Sequence, residues 1–135
     1  MQDRFIGLVL KLLCLAMQHL SFIFPARFME HYPNATVGLP PNQLPPTKMP
    51  PVAWSDSIEL KEYADLKHMA WTGAPGTVLP ADKVRALRQG YYSAVSHTDE
   101  CLGQVMAALN SSKFATNTVV AFWGDHGTRL SCRAL

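Results

Sequence analysis

The chain has no run of about 20 apolar residues, so no segment is long enough to cross a membrane as a helix. Its cysteines number three, Cys14, Cys101 and Cys132, with no C-x-x-C spacing and no histidine placed to share a zinc with any of them at short range. An odd count leaves at least one thiol unpaired within the chain, and redox compartment is not fixed by cysteine usage. Charge of either sign is sparse, 16% of residues with a formal net charge of +2, and Lys and Arg form no run. A phosphate track is neutralised by clustered cations, which excludes a nucleic-acid partner. There is no G-x-S-x-G elbow, no phosphate-binding glycine loop and no paired-carboxylate signature.

What is present is an ordinary globular composition, 48% hydrophobic in 135 residues, enough for one domain and too little for two. Two sequons, Asn34-Ala35-Thr36 and Asn110-Ser111-Ser112, fit Asn-x-Ser/Thr and leave secretory-pathway glycosylation open. The first segment, DRFIGLVLKLLCLAM, reads as a buried helix or strand. A signal-peptide core has this length, but Lys11 lies inside the run and no small-x-small site follows Met17.

Between Val37 and Pro51, six prolines fall in three pairs. Each removes a backbone donor and biases its predecessor towards extended geometry, so a stiff, polyproline-like surface segment is expected. Turn signals follow at Gly73, Pro75 and Gly76. From Pro80-Ala81-Asp82, a helix start with proline and an acid in the first turn, apolar or aromatic residues recur at Val84, Leu87, Tyr91, Val95, Leu102, Val105 and Leu109. With Thr98 filling the place between Val95 and Leu102, this 3-and-4 spacing predicts one face of a helix of about 28 residues, stopped at Asn110-Ser111-Ser112. The next apolar run, Thr118 to Trp123, reads as a strand apolar on both faces, as a helix-covered parallel sheet requires. The expected fold class is therefore α/β.

Ligands in open α/β sheets gather beyond the carboxyl ends of strands, where Asp125-His126-Gly127 falls. A carboxylate and a neutral imidazole on adjacent residues can reach one divalent cation, and Gly127 lets the backbone turn away. An ordinary turn with a capping Asp is the competing reading. His19 is by default a partly buried aromatic-like residue, and His31, His68 and His97 have no partner at dyad or metal spacing.

The stretch KVRALRQGYYSAVSHTDECLGQVMAALNSSKFATNTVVAFWGDHG resembles the sulfatase segment in which a helix with R-Q-x-Y-x-A-x-V-x-x-x-D leads into a buried strand and S/G-D-H-G. Upstream, HLSFIFPARFMEHYPNATVGLPPNQLPP resembles the H-x-P-F segment and proline-rich sequel of the sulfatases that act on iduronate. The resemblance implies an alkaline-phosphatase-like α/β fold with a mainly parallel sheet covered by helices. It further implies calcium-dependent hydrolysis of 2-sulfate esters of iduronate in dermatan sulfate and heparan sulfate, sulfated glycosaminoglycans degraded in lysosomes. By position it makes Asp125 and His126 ligands of one calcium ion and His19 a contact of the substrate sulfate.

Ser21 stands where that family has proline and Gly124 where it usually has serine. None of the three cysteines lies in the C-x-P-S-R motif that yields the formylglycine nucleophile, so no catalytic residue is assigned and the isolated chain is expected to be inactive, its calcium site incomplete. The expected organisation is a divergent apolar segment over 1–18, a partial sulfatase catalytic domain over 19–127 and a divergent tail over 128–135. Both ends read as products of alternative splicing, truncation or an incomplete gene model. Two alternatives stand beside this reading: a metal-dependent phosphoesterase fragment of the same superfamily, and a non-catalytic secreted interaction protein.

Overall fold

The computed structural model describes residues 15, 19–42, 44, 46–54, 58–74 and 76–124. Four short 3-10 turns precede one long helix: η1 (Ala26–His31), η2 (Asn34–Thr36), η3 (Pro51–Ala53), η4 (Ile58–Glu62) and α1 (Ala81–Asn110). The prolines set three of the turns. Pro25, Pro33 and Pro50 each hold φ between −52° and −66° with ψ near 140°, and each carbonyl accepts the first bond of the turn that follows. Those bonds are Phe28 N to Pro25 O at 3.0 Å, Thr36 N to Pro33 O at 2.8 Å and Ala53 N to Pro50 O at 2.9 Å. Pro41, Asn42, Leu44 and Pro46–Lys48 lie on the surface as the proline pairs predict, whereas Val37 and Pro40 are buried and the 50–51 pair enters a turn.

Helix α1 begins directly after Pro80 and ends at Asn110, matching the start and stop read from the sequence. Ser111 N bonds Ala107 O at 3.1 Å and Ser112 N bonds Leu109 O at 2.9 Å, which closes the last turn. The predicted turn at 73–76 also forms. Gly73 and Gly76 take φ of 72° and 87°, a region glycine enters without a Cβ penalty, and the Gly73 carbonyl accepts the Trp54 indole N–H at 2.9 Å.

Two packing centres hold the chain. Leu60, Leu66, Leu79 and Val84 are buried together where the 58–79 loops fold onto the first turns of α1, with Leu20, Leu39 and Leu87 against them. Burial of such side chains contributes roughly 1.5–3 kcal/mol each. The second centre sets η1 across the middle of α1. Phe28 is buried and its carbonyl accepts the Ser93 hydroxyl at 3.3 Å, Gln89 Nε2 donates to Tyr32 O at 2.7 Å, and the Tyr32 and Ser96 hydroxyls bond at 2.7 Å. Arg27 and Glu100 close the far end at 2.7 Å, an exposed pair worth about 0–1 kcal/mol.

This stripe of α1 is not the one the apolar spacing marks. The predicted face buries Val84, but Val95 and Val105 remain 41% and 43% exposed. Small and polar residues let the η1 backbone approach closely, and the hydrogen bonds to its carbonyls do the anchoring. The predicted strand also differs from what is observed. Residues 118–124 carry no ladder bonds, and Val119, Phe122 and Trp123 are 95%, 73% and 68% exposed. A strand exists only as one partner of a pair, and no strand occurs among the described residues, so the apolar pattern has nothing to pair with there.

Gly90 is the point of closest approach. A Cβ at this position would meet Phe22 Cδ2 at 3.2 Å. Gly90→Ala gains about 1 kcal/mol of helix propensity and spends it on that contact, so it is expected to be near neutral. Gly90→Leu is expected to lose roughly 1–3 kcal/mol through overpacking, read as a lower urea midpoint.

Candidate functional site

Of the three residues assigned to the site, His19 lies among the described residues, while Asp125 and His126 lie outside them. His19 is exposed, and its Nδ1 donates to the carbonyl of Leu20 at 2.6 Å. In the neutral ring that puts the proton on Nδ1 and the lone pair on Nε2; in the imidazolium Nε2–H becomes a donor suited to a sulfate oxygen.

Three residues on, Phe22 ties the segment to the rest of the chain. Its backbone N–H bonds the Tyr63 hydroxyl at 3.3 Å, and its ring meets Tyr91 edge-to-face with centroids 5.7 Å apart. Gly90 leaves the space that ring occupies. The approach continues through Phe28, tilted against His97 at 5.2 Å, edge-on to His31 at 6.1 Å, and covered by the Arg27 guanidinium at 4.6 Å. Histidines 31 and 97 thus serve packing round Phe28. Among the described residues no group of three or more His, Cys, Asp or Glu side chains could hold a metal ion.

Sequence reasoning missed Tyr63, Gly90 and Tyr91 as the clamp on the His19 segment. A signal for Gly90 was available: glycine inside a strongly periodic helix costs about 1 kcal/mol against alanine, so it marks a close approach. At the other end, α1 gives way to turns in which Asn117 N bonds Phe114 O at 3.0 Å and Thr118 Oγ1 donates to Phe114 O at 2.8 Å. From there residues 119–124 lead, exposed, towards Asp125.

The sulfatase family model matches residues 21–133, and the chain belongs to that family. It is similar to the iduronate 2-sulfatase of Mus musculus, at 34% identity over 112 residues, 83% of this chain and 20% of that enzyme. The iduronate 2-sulfatase of Homo sapiens is 31% identical with the same coverage. A multifunctional alkaline phosphatase superfamily protein, PehA of Trinickia caryophylli, is 33% identical over 55 residues, 41% of this chain and 11% of that protein. The chain therefore spans about a fifth of the length of the iduronate 2-sulfatases it matches. No solved structure matches it. Family membership implies an alkaline-phosphatase-like α/β fold and sulfuric ester hydrolysis as the family's chemistry. No helix among the described residues is long and apolar enough to cross a membrane.

Proposed function

We propose that this chain is part of a calcium-dependent, lysosomal sulfatase acting on the 2-sulfate esters of iduronate in dermatan sulfate and heparan sulfate. The observation that carries this reading is the family match over 21–133 together with the iduronate 2-sulfatase similarity across 83% of the chain. Asp125 and His126 would hold the cation. The donor chemistry fits in part: Asp125 supplies the hard oxygen calcium prefers, the His126 imidazole is a donor more typical of zinc, and two side chains fall well short of the roughly six to eight donors calcium takes. When bound, such a cation offsets negative charge on the transferring sulfuryl group.

His19 has the separate task of meeting a sulfate oxygen through an N–H, and the Phe22 clamp limits how far it can wander from that position. The nucleophile is not supplied by Cys14, Cys101 or Cys132, none of which lies in C-x-P-S-R. The isolated chain is therefore expected to hydrolyse nothing.

The similarity to the phosphatase-superfamily protein supports a second reading, a metal-dependent phosphoesterase segment. A chimera separates the two. With residues 19–127 exchanged for the matching stretch of the mouse enzyme, hydrolysis of a fluorogenic 2-sulfated iduronide in calcium is expected. Cleavage of a phosphodiester in zinc, with no sulfatase activity, would instead establish the second.

A further inference from the structure

After helix α1 the chain runs without a charged residue from Phe114 to Gly124, between Lys113 and Asp125. The last part of that stretch, Val119 to Trp123, is exposed at every residue. Val119 and Trp123 would share one face of a strand and Val120 and Phe122 the other, so both faces are open to solvent. Among the described residues none pairs with this segment as a strand, and positive φ outside glycine occurs only at Lys48, which leaves strand geometry open to it. An apolar, β-branched and aromatic run with an unpaired backbone is a template for a strand from another chain.

The order of its residues says which strand fits. Val119-Val120-Ala121-Phe122-Trp123 has two β-branched residues, a small one, then two aromatics. Laid antiparallel against its own copy with Ala121 opposite Ala121, it sets Val120 opposite Phe122 and Val119 opposite Trp123, and each pair occurs twice. Aromatic and β-branched residues facing each other are favourable cross-strand pairs, and the two alanines leave room at the centre for the rings beside them. Shifting the axis by one residue to Val120 sets Val119 opposite Ala121 and Trp123 opposite Asn117, which loses both pairings. A parallel pairing in register sets each residue opposite itself and mixes no ring with a branched chain. With no charge between 114 and 124, nothing in the stretch repels its copy.

We propose that residues 119–123 are a self-association site, through which two copies of this chain join as an antiparallel strand pair about a two-fold axis at Ala121. The two-fold makes the contact isologous, with the same patch used on both chains. A lone two-stranded ribbon is marginally stable in water, so the dimer is weak and depends on concentration. The contact involves neither His19 nor the packing of η1 on α1, and it is independent of which ester the family chemistry here would cleave.

Sedimentation equilibrium of the full 135-residue chain is expected to show a weight-average mass rising with concentration towards twice that of the monomer. Ala121→Asp sets two like charges opposite each other on the axis and should raise the dissociation constant about tenfold or more. Because Ala121 is exposed, this variant should keep the helix signal and melting temperature of the parent. Register is read by oxidative cross-linking in a background carrying Cys14→Ser, Cys101→Ser and Cys132→Ser. Ala121→Cys should cross-link with itself, since directly opposed residues lie about 4.5–5.5 Å apart at Cα, within disulfide reach. Val120→Cys should not do so alone, its copy lying diagonally about 7–8 Å away, but should cross-link when mixed with Phe122→Cys. A chain that stays monomeric, association untouched by Ala121→Asp, or self-cross-linking of Val120→Cys equal to that of Ala121→Cys would overturn the proposal. So would species that grow beyond two copies, which would make the segment an open stacking edge instead of a closed pair.

Discussion

Asp125→Ala in the chimeric enzyme is expected to lower kcat/KM for the 2-sulfated iduronide by about 10²–10³-fold, the typical loss when one positioned electrostatic group is removed from a charge-developing site. The loss should fall on kcat more than on KM, because the charge it offsets grows towards the transition state. It should also respond to the metal. If Asp125 is a ligand, its removal weakens calcium binding, and raising calcium well above its ordinary working concentration restores part of the activity. Asp125→Asn keeps an oxygen donor without the charge and is expected to fall between the two. His126→Ala should behave like Asp125→Ala with a smaller response to added calcium, since an imidazole contributes less to a hard cation than a carboxylate does. A change of less than twofold in Asp125→Ala, at an unchanged melting temperature, would make the Asp-His-Gly triplet an ordinary turn.

The parts of this molecule that were legible in the sequence are those decided within one element. Helix α1 was visible from end to end because its spacing, its proline start and its polar stop are all local. The surface course of the paired prolines through Pro41, Asn42, Leu44 and Pro46–Lys48 was legible for the same reason. Pairing was not legible. The Thr118 to Trp123 pattern states what surroundings the segment suits, but a sheet needs a second strand, and the surroundings of residues 119–124 here are solvent. Nor did hydrophobicity reveal the stripe on which η1 sits, because Gln89, Ser93 and Ser96 act there by small size and hydrogen bonding. For the site, Asp125 and His126 on their own were two donors after an apolar run; resemblance to a family supplied the role proposed for them. His19 was assigned the same way, whereas the clamp on its segment is a tertiary fact joining residues 22, 63 and 90–91.

Phe28 sits six residues beyond Phe22 on the same segment, and Phe28→Ala is the substitution expected to loosen that clamp. Phe28 is 4% exposed, with rings of His97 and His31 and the Arg27 guanidinium around it. Truncation removes the transfer free energy of the ring and leaves a cavity, roughly 3–5 kcal/mol in all. Against the 5–15 kcal/mol of a typical domain this is a large share, and the core here is small. One effect works the other way: His97 Nδ1 is buried with no hydrogen-bond partner, and opening the site admits water to it. That gain of roughly 1–3 kcal/mol at most cannot offset the ring, so the net sign is fixed. Phe28→Leu refills most of the volume and should cost much less. Glu100→Ala, which breaks only the exposed pair with Arg27, should shift the urea midpoint by little, since such pairs contribute about 0–1 kcal/mol. The ordering of the three variants separates packing from charge as what seats η1. In the chimera, Phe28→Ala should also raise KM before it lowers kcat, because the segment it loosens carries His19, the proposed sulfate contact, and not Asp125 and His126, the proposed cation ligands. A fall in kcat alone would mean that η1 supports the far end of the site instead.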